Sequence, residues 1–217
     1  MSREEDVSYS PADRAAEAKR AALQKSNRLT IKDVRIAYAQ GIFTAKAAKP
    51  GDKERYGAAF IFSASHPAVK EIAAAVVRAA KARWGDKSDE MLKQLKAGDR
   101  LPVHNGDAKA SSAGYAGNLY LNAGNVIRPL VLDANKSPLT AGDGRPYSGC
   151  FVNLMVEVWA QDNQHGKRIN ASLLGVQFVR DGERLAGGST ATADDFEAIP
   201  GTDDGAAPAS AADSLFN

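Results

Sequence analysis

From Cys150 to Trp159 the chain alternates without a break. Val152, Leu154, Val156 and Val158 share one parity; Phe151, Asn153, Met155, Glu157 and Trp159 share the other. Successive strand side chains point to opposite faces, so this register demands a long β-strand with one dry face. The second face is harder to place, because a core would not hold Glu157 and an ordinary wet face would not hold Phe151 and Trp159. Aromatics interleaved with Asn and Glu suit a flat ligand that is apolar on its faces and polar at its edges, as a nucleobase is. The alternative is that Phe151 and Trp159 pack under loops at the strand ends, since Trp is usually buried in large part.

The rest of the chain supplies partners for that strand. Arg28–Tyr38 reads as a first strand whose apolar phase changes across Lys32-Asp33, the mark of a bulge. Residues 40–54 read as a basic loop with Phe43 a stacking candidate, and Arg55–Phe62 as a second strand. Ser65-His-Pro67 opens a helix with Val69, Ile72, Ala73, Val76, Ala80 and Trp84 at helical spacing, and Gly85 ends it. A shorter helix follows over Ser88–Lys96; both helices read as structural, with Trp84 in the core. Leu101–Ala113 reads as a polar loop. Gly117–Ala123 alternates again, with Asn118, Tyr120 and Asn122 on a polar face. Val126–Leu132 reads as a strand interrupted by Pro129, and Ile169–Val179 as the return of the long strand, bent at Gly175. Five or more antiparallel strands with helical insertions and bulges give a mainly β fold, a strongly curved antiparallel barrel. Strands do not alternate regularly with helices, which disfavours a parallel α/β sheet.

Three segments follow: a charged arm over 1–27 with a helix after Ser10-Pro11, a binding domain over 28–186, and a tail over 187–217. The tail is rich in Gly, Ala, Ser, Thr, Pro and Asp and reads as disordered. Beyond Gly188 there are six acids and no Lys or Arg, so residues 1–188 hold all 28 basic residues and 20 of the 26 acids, a net of +8. A basic body favours a polyanion, and an acidic tail can compete for the same surface. The tail carries Asp203, Asp204 and Asp213 and finishes in Leu215-Phe216. Bare hydrophobes on such a segment make sense as a plug for a partner's pocket. The single Cys150 excludes an intrachain disulfide, no apolar run is long enough for a membrane, and no signal segment is present, so the expectation is a cytoplasmic protein with no membrane partner.

Nothing catalytic stands out. His66, His104 and His165 lack metal-ligand spacing; phosphate loops and nucleophile elbows are absent. His104 with Asp107 reads as a polar turn, and Cys150 as a small core residue rather than a thiol nucleophile. No cofactor or metal is expected. The binding signals converge instead. Tyr115, Tyr120, Tyr147, Phe151 and Trp159 lie on or beside polar strand faces, with Lys109, Arg128, Arg145, Lys167 and Arg168 flanking them. Cations that hold phosphates beside aromatics that stack bases are how single-stranded nucleic acid is gripped, at about 1–3 kcal/mol per stacked base. Double-stranded DNA and a second copy of the chain are further candidate partners. Rival readings are a duplex-DNA or RNA annealing protein and a virion structural protein with an incidental basic patch.

The motifs also resemble a family of bacteriophage single-stranded-DNA-binding proteins. The resemblance lies in Arg55-Tyr56 through Phe60-Ile61, Asn105-Gly106-Asp107, and Gly114-Tyr115 through Tyr120-Leu121-Asn122-Ala123. It continues in Arg128-Pro129 with Asp133, Tyr147-Ser148-Gly149-Cys150-Phe151-Val152-Asn153, and Gly175-Val176-Gln177 through Arg180-Asp181-Gly182. It covers about residues 28–185, and its most specific part is Tyr-Ser-Gly-Cys. It implies an OB-like barrel that coats single-stranded DNA during phage replication or recombination in the host cytoplasm. It also implies a disordered acidic tail that recruits replication proteins.

Overall fold

The computed structural model describes residues 26–185 together with positions 14, 15, 17, 18 and 22. Most of the expected arm (1–27) and all of the expected acidic tail (187–217) lie outside the described residues.

Seven strands form one sheet: β1 (Arg28–Ala37), β2 (Tyr56–Phe62), β3 (Val103–Asn105), β4 (Leu119–Asn125), β5 (Leu130–Leu132), β6 (Phe151–Asn163) and β7 (Gly166–Arg180). Their spatial order is β3-β4-β2-β1-β6-β7-β5. The dry face of β6 is as the alternation requires: Val152, Leu154, Val156 and Val158 are inaccessible. The first three pack with Ile31, Val34 and Ile36 of β1, Phe60 of β2, Leu121 of β4 and Leu173 of β7. Each such side chain contributes roughly 1.5–3 kcal/mol by leaving water. The bulge expected in β1 is present. The β1–β6 register shifts between Ile31 and Val34, and Asp33 adopts φ 52. The β6–β7 register shifts between Phe151 and Val152 and again between Met155 and Val156, the latter beside Gly175.

Helix α1 (Ala68–Trp84) buries Ile72, Ala75, Ala79 and Ala80, and Gly85 terminates it at φ 55. Its alanines let it lie close to the sheet. Ala75, Ala79 and Ala80 join Val158, Ile169 and Leu95 of α2 (Ser88–Ala97) in a satellite core. Trp84 is part of that layer, its indole N–H donating to Asp162 Oδ2 at 2.9 Å.

Four expectations need correction. The sheet is mixed, because β5 pairs with β7 in parallel. Of the strand expected over 126–132 only Leu130–Leu132 pairs, since Pro129 brings no N–H. The polar loop expected over 101–113 contains β3 and a 3-10 turn, Gly106–Lys109. Finally, the sheet curls without closing into a barrel. Where β4 and β7 approach, Asn125 reaches the Leu173 carbonyl with its side chain (3.2 Å) rather than its backbone. The segment Asp99–Pro102 bridges the gap instead: the Arg100 carbonyl accepts from Ile169 N–H (3.1 Å) and the Pro102 carbonyl from Asn122 N–H (3.0 Å).

Candidate nucleic-acid interface

The ten residues singled out in the sequence do not form one surface. Tyr115 and Tyr120 are buried with Ala37, Ala59 and Ile61 in a small cluster of their own. The His104 ring stacks on Tyr120 at 5.1 Å, Tyr115 meets it edge-on at 5.1 Å, and Lys109 Nζ lies 4.8 Å from its centroid. No ring face is left open for a base. The polar face read into β4 is therefore half right: Asn122 is exposed, but the chain around Tyr115 covers Tyr120. Burial first, then the neighbouring Tyr38 and Tyr120, push the Tyr115 phenol above the ordinary range. Its hydroxyl lies beside Tyr38 but makes no hydrogen bond of good geometry among the described residues.

Tyr147, Phe151 and Arg145 belong to a second group in which each aromatic face carries an arginine. Arg184 lies 4.1 Å from the Tyr147 ring, Arg180 3.4 Å from Phe151, and Arg145 5.1 Å from Phe178. Acids neutralise much of this charge: Arg180 pairs with Asp33 at 3.1 Å, Arg35 with Glu183 at 3.7 Å and Arg145 with Asp181 at 3.9 Å. Tyr147-Ser-Gly-Cys is the hub that ties the sheet to the chain after β7. The Tyr147 hydroxyl lies 2.9 Å from Asp181 Oδ1 and accepts the Gly182 N–H at 3.1 Å; Ser148 Oγ accepts the Ala39 N–H at 3.0 Å. Cys150 is fully buried, and burial is the main cause that pushes its thiol pKa up, so it sits as a core residue.

The mixed face of β6 is largely satisfied within the protein. Asn153 Oδ1 accepts the Asp33 N–H of the bulge (3.0 Å) while its amide donates to Gln177 (3.1 Å). Glu157 pairs with Arg28 at 3.3 Å, and the Trp159 indole donates to Ser172 Oγ at 2.9 Å. Trp159 remains 37% exposed, but in a hollow that also holds Glu157 and Asp162. Arg128 is exposed between β4 and β5, Lys167 and Arg168 at the start of β7. Phe43 is partly buried against the main core.

A different surface gathers unpaired charge. A groove of about 940 Å³ runs from the 3-10 turn after β1 across β2 and β4 to the start of β7. Its lining includes Gly57, Ala58 and Ala59 of β2 and Ala123 and Gly124 of β4, small residues that leave room above the strands. Around them stand Tyr38, Tyr56, Lys46, Arg55, Arg100 and Arg168. None of these four cations has an ion pair among the described residues. The one acid of the lining, Asp99, lies 2.7 Å from His104 Nδ1. Of the ten sequence-derived residues only Arg168 lines this groove. The legible signal for it was the run Tyr56-Gly-Ala-Ala59 set against Ala123-Gly124, small residues paired across two strands. No group of three or more His, Cys, Asp or Glu able to hold a metal occurs among the described residues, and no described helix is long and apolar enough to cross a membrane.

A mainly β sheet with an open cationic groove edged by tyrosines is an arrangement that nucleic-acid-binding modules use. Comparison with known proteins gives it a family: the model of the Enterobacter phage Enc34 ssDNA-binding protein matches residues 27–206. The chain belongs to this family of phage single-stranded-DNA-binding proteins, which are binding proteins and not enzymes. It is 40% identical over 173 residues to protein p50 of Acyrthosiphon pisum secondary endosymbiont phage 1, covering 78% of this chain and 92% of that one. The single-stranded DNA-binding protein from bacteriophage Enc34 in complex with ssDNA shares the fold at TM-score 0.59 and 24% identity, over 75% of this chain and 91% of that one. A second structure of the single-stranded DNA-binding protein from bacteriophage Enc34 aligns at TM-score 0.53 and 25% identity, over 80% of this chain and 92% of that one.

Proposed function

We propose that the chain binds single-stranded DNA without sequence preference in the groove between the turn after β1 and the start of β7, serving phage DNA replication or recombination. The observation that carries this reading is the set of Lys46, Arg55, Arg100 and Arg168 around one groove without carboxylate partners among the described residues. Unpaired cations exchange their counterions for phosphates, whereas the arginines near Phe151 are already neutralised. Anisotropy of a fluorescein-labelled oligo-dT tests it. Affinity should fall steeply with salt and drop for an Arg55→Ala/Arg168→Ala double variant, and a duplex competitor should displace the probe poorly. Binding that ignores both salt and the double variant would place the DNA elsewhere.

The acidic tail has a separate role in this proposal. Asp203, Asp204, Asp213, Leu215 and Phe216 lie outside the described residues, and the reading rests on their sequence alone. Six acids with no cation lower the chain's attraction for a polyanion, and the apolar tip offers a docking peptide to replication proteins. A chain ending at Gly188 should bind oligo-dT more tightly at low salt. Unchanged affinity and salt slope would remove the charge effect.

A further inference from the structure

We infer that Tyr38 is the residue on which a DNA base stacks, held out over the groove by a backbone conformation that costs the fold stability; the inference rests on the groove reading above. Tyr38 adopts φ 59 and ψ 39, the left-handed region that bulky residues rarely occupy. Glycine would adopt it freely. The neighbours leave the chain no other course. Before Tyr38, Ile36 is locked to Cys150 and Gly149 through both its backbone groups. After it, Ala39 donates to Ser148 Oγ and Gly41 donates to the Tyr38 carbonyl.

Packing does not explain an aromatic at this position. Tyr38 is 58% exposed, the most open aromatic among the described residues, and it lines the groove. Its hydroxyl end lies beside the buried phenol of Tyr115. Among the other aromatics, Tyr115 and Tyr120 are buried, Phe151 and Tyr147 are covered by arginines, Trp159 is tied to Ser172 outside the groove, and Tyr56, which also lines the groove, is more covered than Tyr38. An exposed, flat side chain among unpaired cations is the arrangement that base stacking uses, and a backbone outlier retained there points to function rather than packing.

Tyr38→Gly separates this role from a structural one. Relief of the left-handed strain should raise the thermal midpoint by roughly 2–4 °C. Affinity for oligo-dT should fall roughly 5- to 150-fold, the range that the loss of one stacked base gives. The salt slope should not change, because no phosphate contact is removed, and Tyr38→Trp should retain affinity. On an abasic deoxyribose-phosphate oligomer the native chain should lose its advantage over Tyr38→Gly. A lowered midpoint, an undiminished affinity, or an advantage that persists on the abasic strand would each overturn the inference. If Arg55→Ala/Arg168→Ala weakens binding while Tyr38→Gly does not, the groove reading stands and only the stacking assignment falls.

Discussion

Arg180 holds its guanidinium 3.4 Å from the centroid of the Phe151 ring, across the β6–β7 pair that opens the long hairpin. The same guanidinium reaches Asp33 at the β1 bulge, so one side chain fastens three strands. Phe151→Leu should therefore act on the fold, lowering stability by about 1 kcal/mol through the lost cation–π contact. Affinity for oligo-dT should stay within about twofold. Chemical denaturation and anisotropy on the same variant check both halves.

The groove cations should each leave a mark on the salt dependence. Removing one phosphate contact lowers the slope of log affinity against log salt by about 0.7 for a single strand. Lys46→Ala, Arg55→Ala and Arg168→Ala should each do so, whereas Arg145→Ala, whose charge faces Asp181, should not. Titrations at three or four salt concentrations give the slopes.

Alkaline pH should destabilise the protein through Tyr115. Burial foremost, then Tyr38 and Tyr120, keep its phenol protonated beyond the range of an unfolded tyrosine. The folded state then holds a proton that the unfolded chain releases near pH 10, so this stability is complete below that pH and is lost progressively as pH rises from there through the higher pKa of the folded state. Tyr115→Phe should flatten the alkaline fall in denaturation midpoint. Because it also removes a hydroxyl without a well-formed partner, it should change stability at neutral pH by less than about 1 kcal/mol.

Gly41 tests how tightly the turn after β1 is seated. A Cβ there would overlap the Gly57 carbonyl oxygen. Gly41→Ala should lower stability by about 1–3 kcal/mol, as other forced overpackings do. It should also weaken oligo-dT binding, since the displaced turn carries Tyr38 and Gln40 into the groove lining. Thermal melts read the first effect and anisotropy the second.

Strands and helices were legible because their periodicity is local. The alternation of β6 and the phase change at Lys32-Asp33 predict what is observed, and the stripe of α1 does so in Ile72 and Ala80, whereas Ala73 is exposed and Ala75 and Ala79 are buried in its place. The groove was not, because its residues come from six separated segments and Tyr38 stands out through a backbone angle that composition does not reveal. The mixed face of β6 has a physical reason within the fold. Asn153 serves a bulge, Glu157 serves Arg28 and Trp159 serves Ser172, so polar residues beside aromatics there answer to one another. Alternation reports which parity is dry, not whether the wet parity is already satisfied.

The central position of β1 sets the tempo at which this chain can mature. It lies between β2, which follows it closely in sequence, and β6, whose Glu157 pairs with Arg28. During synthesis β1 and β2 emerge early, but the other edge of β1 waits until most of the domain has left the ribosome. Assembly dominated by such distant pairing is slow, on the millisecond-to-second side of two-state rates. The half-built sheet meanwhile offers an open strand edge to its neighbours.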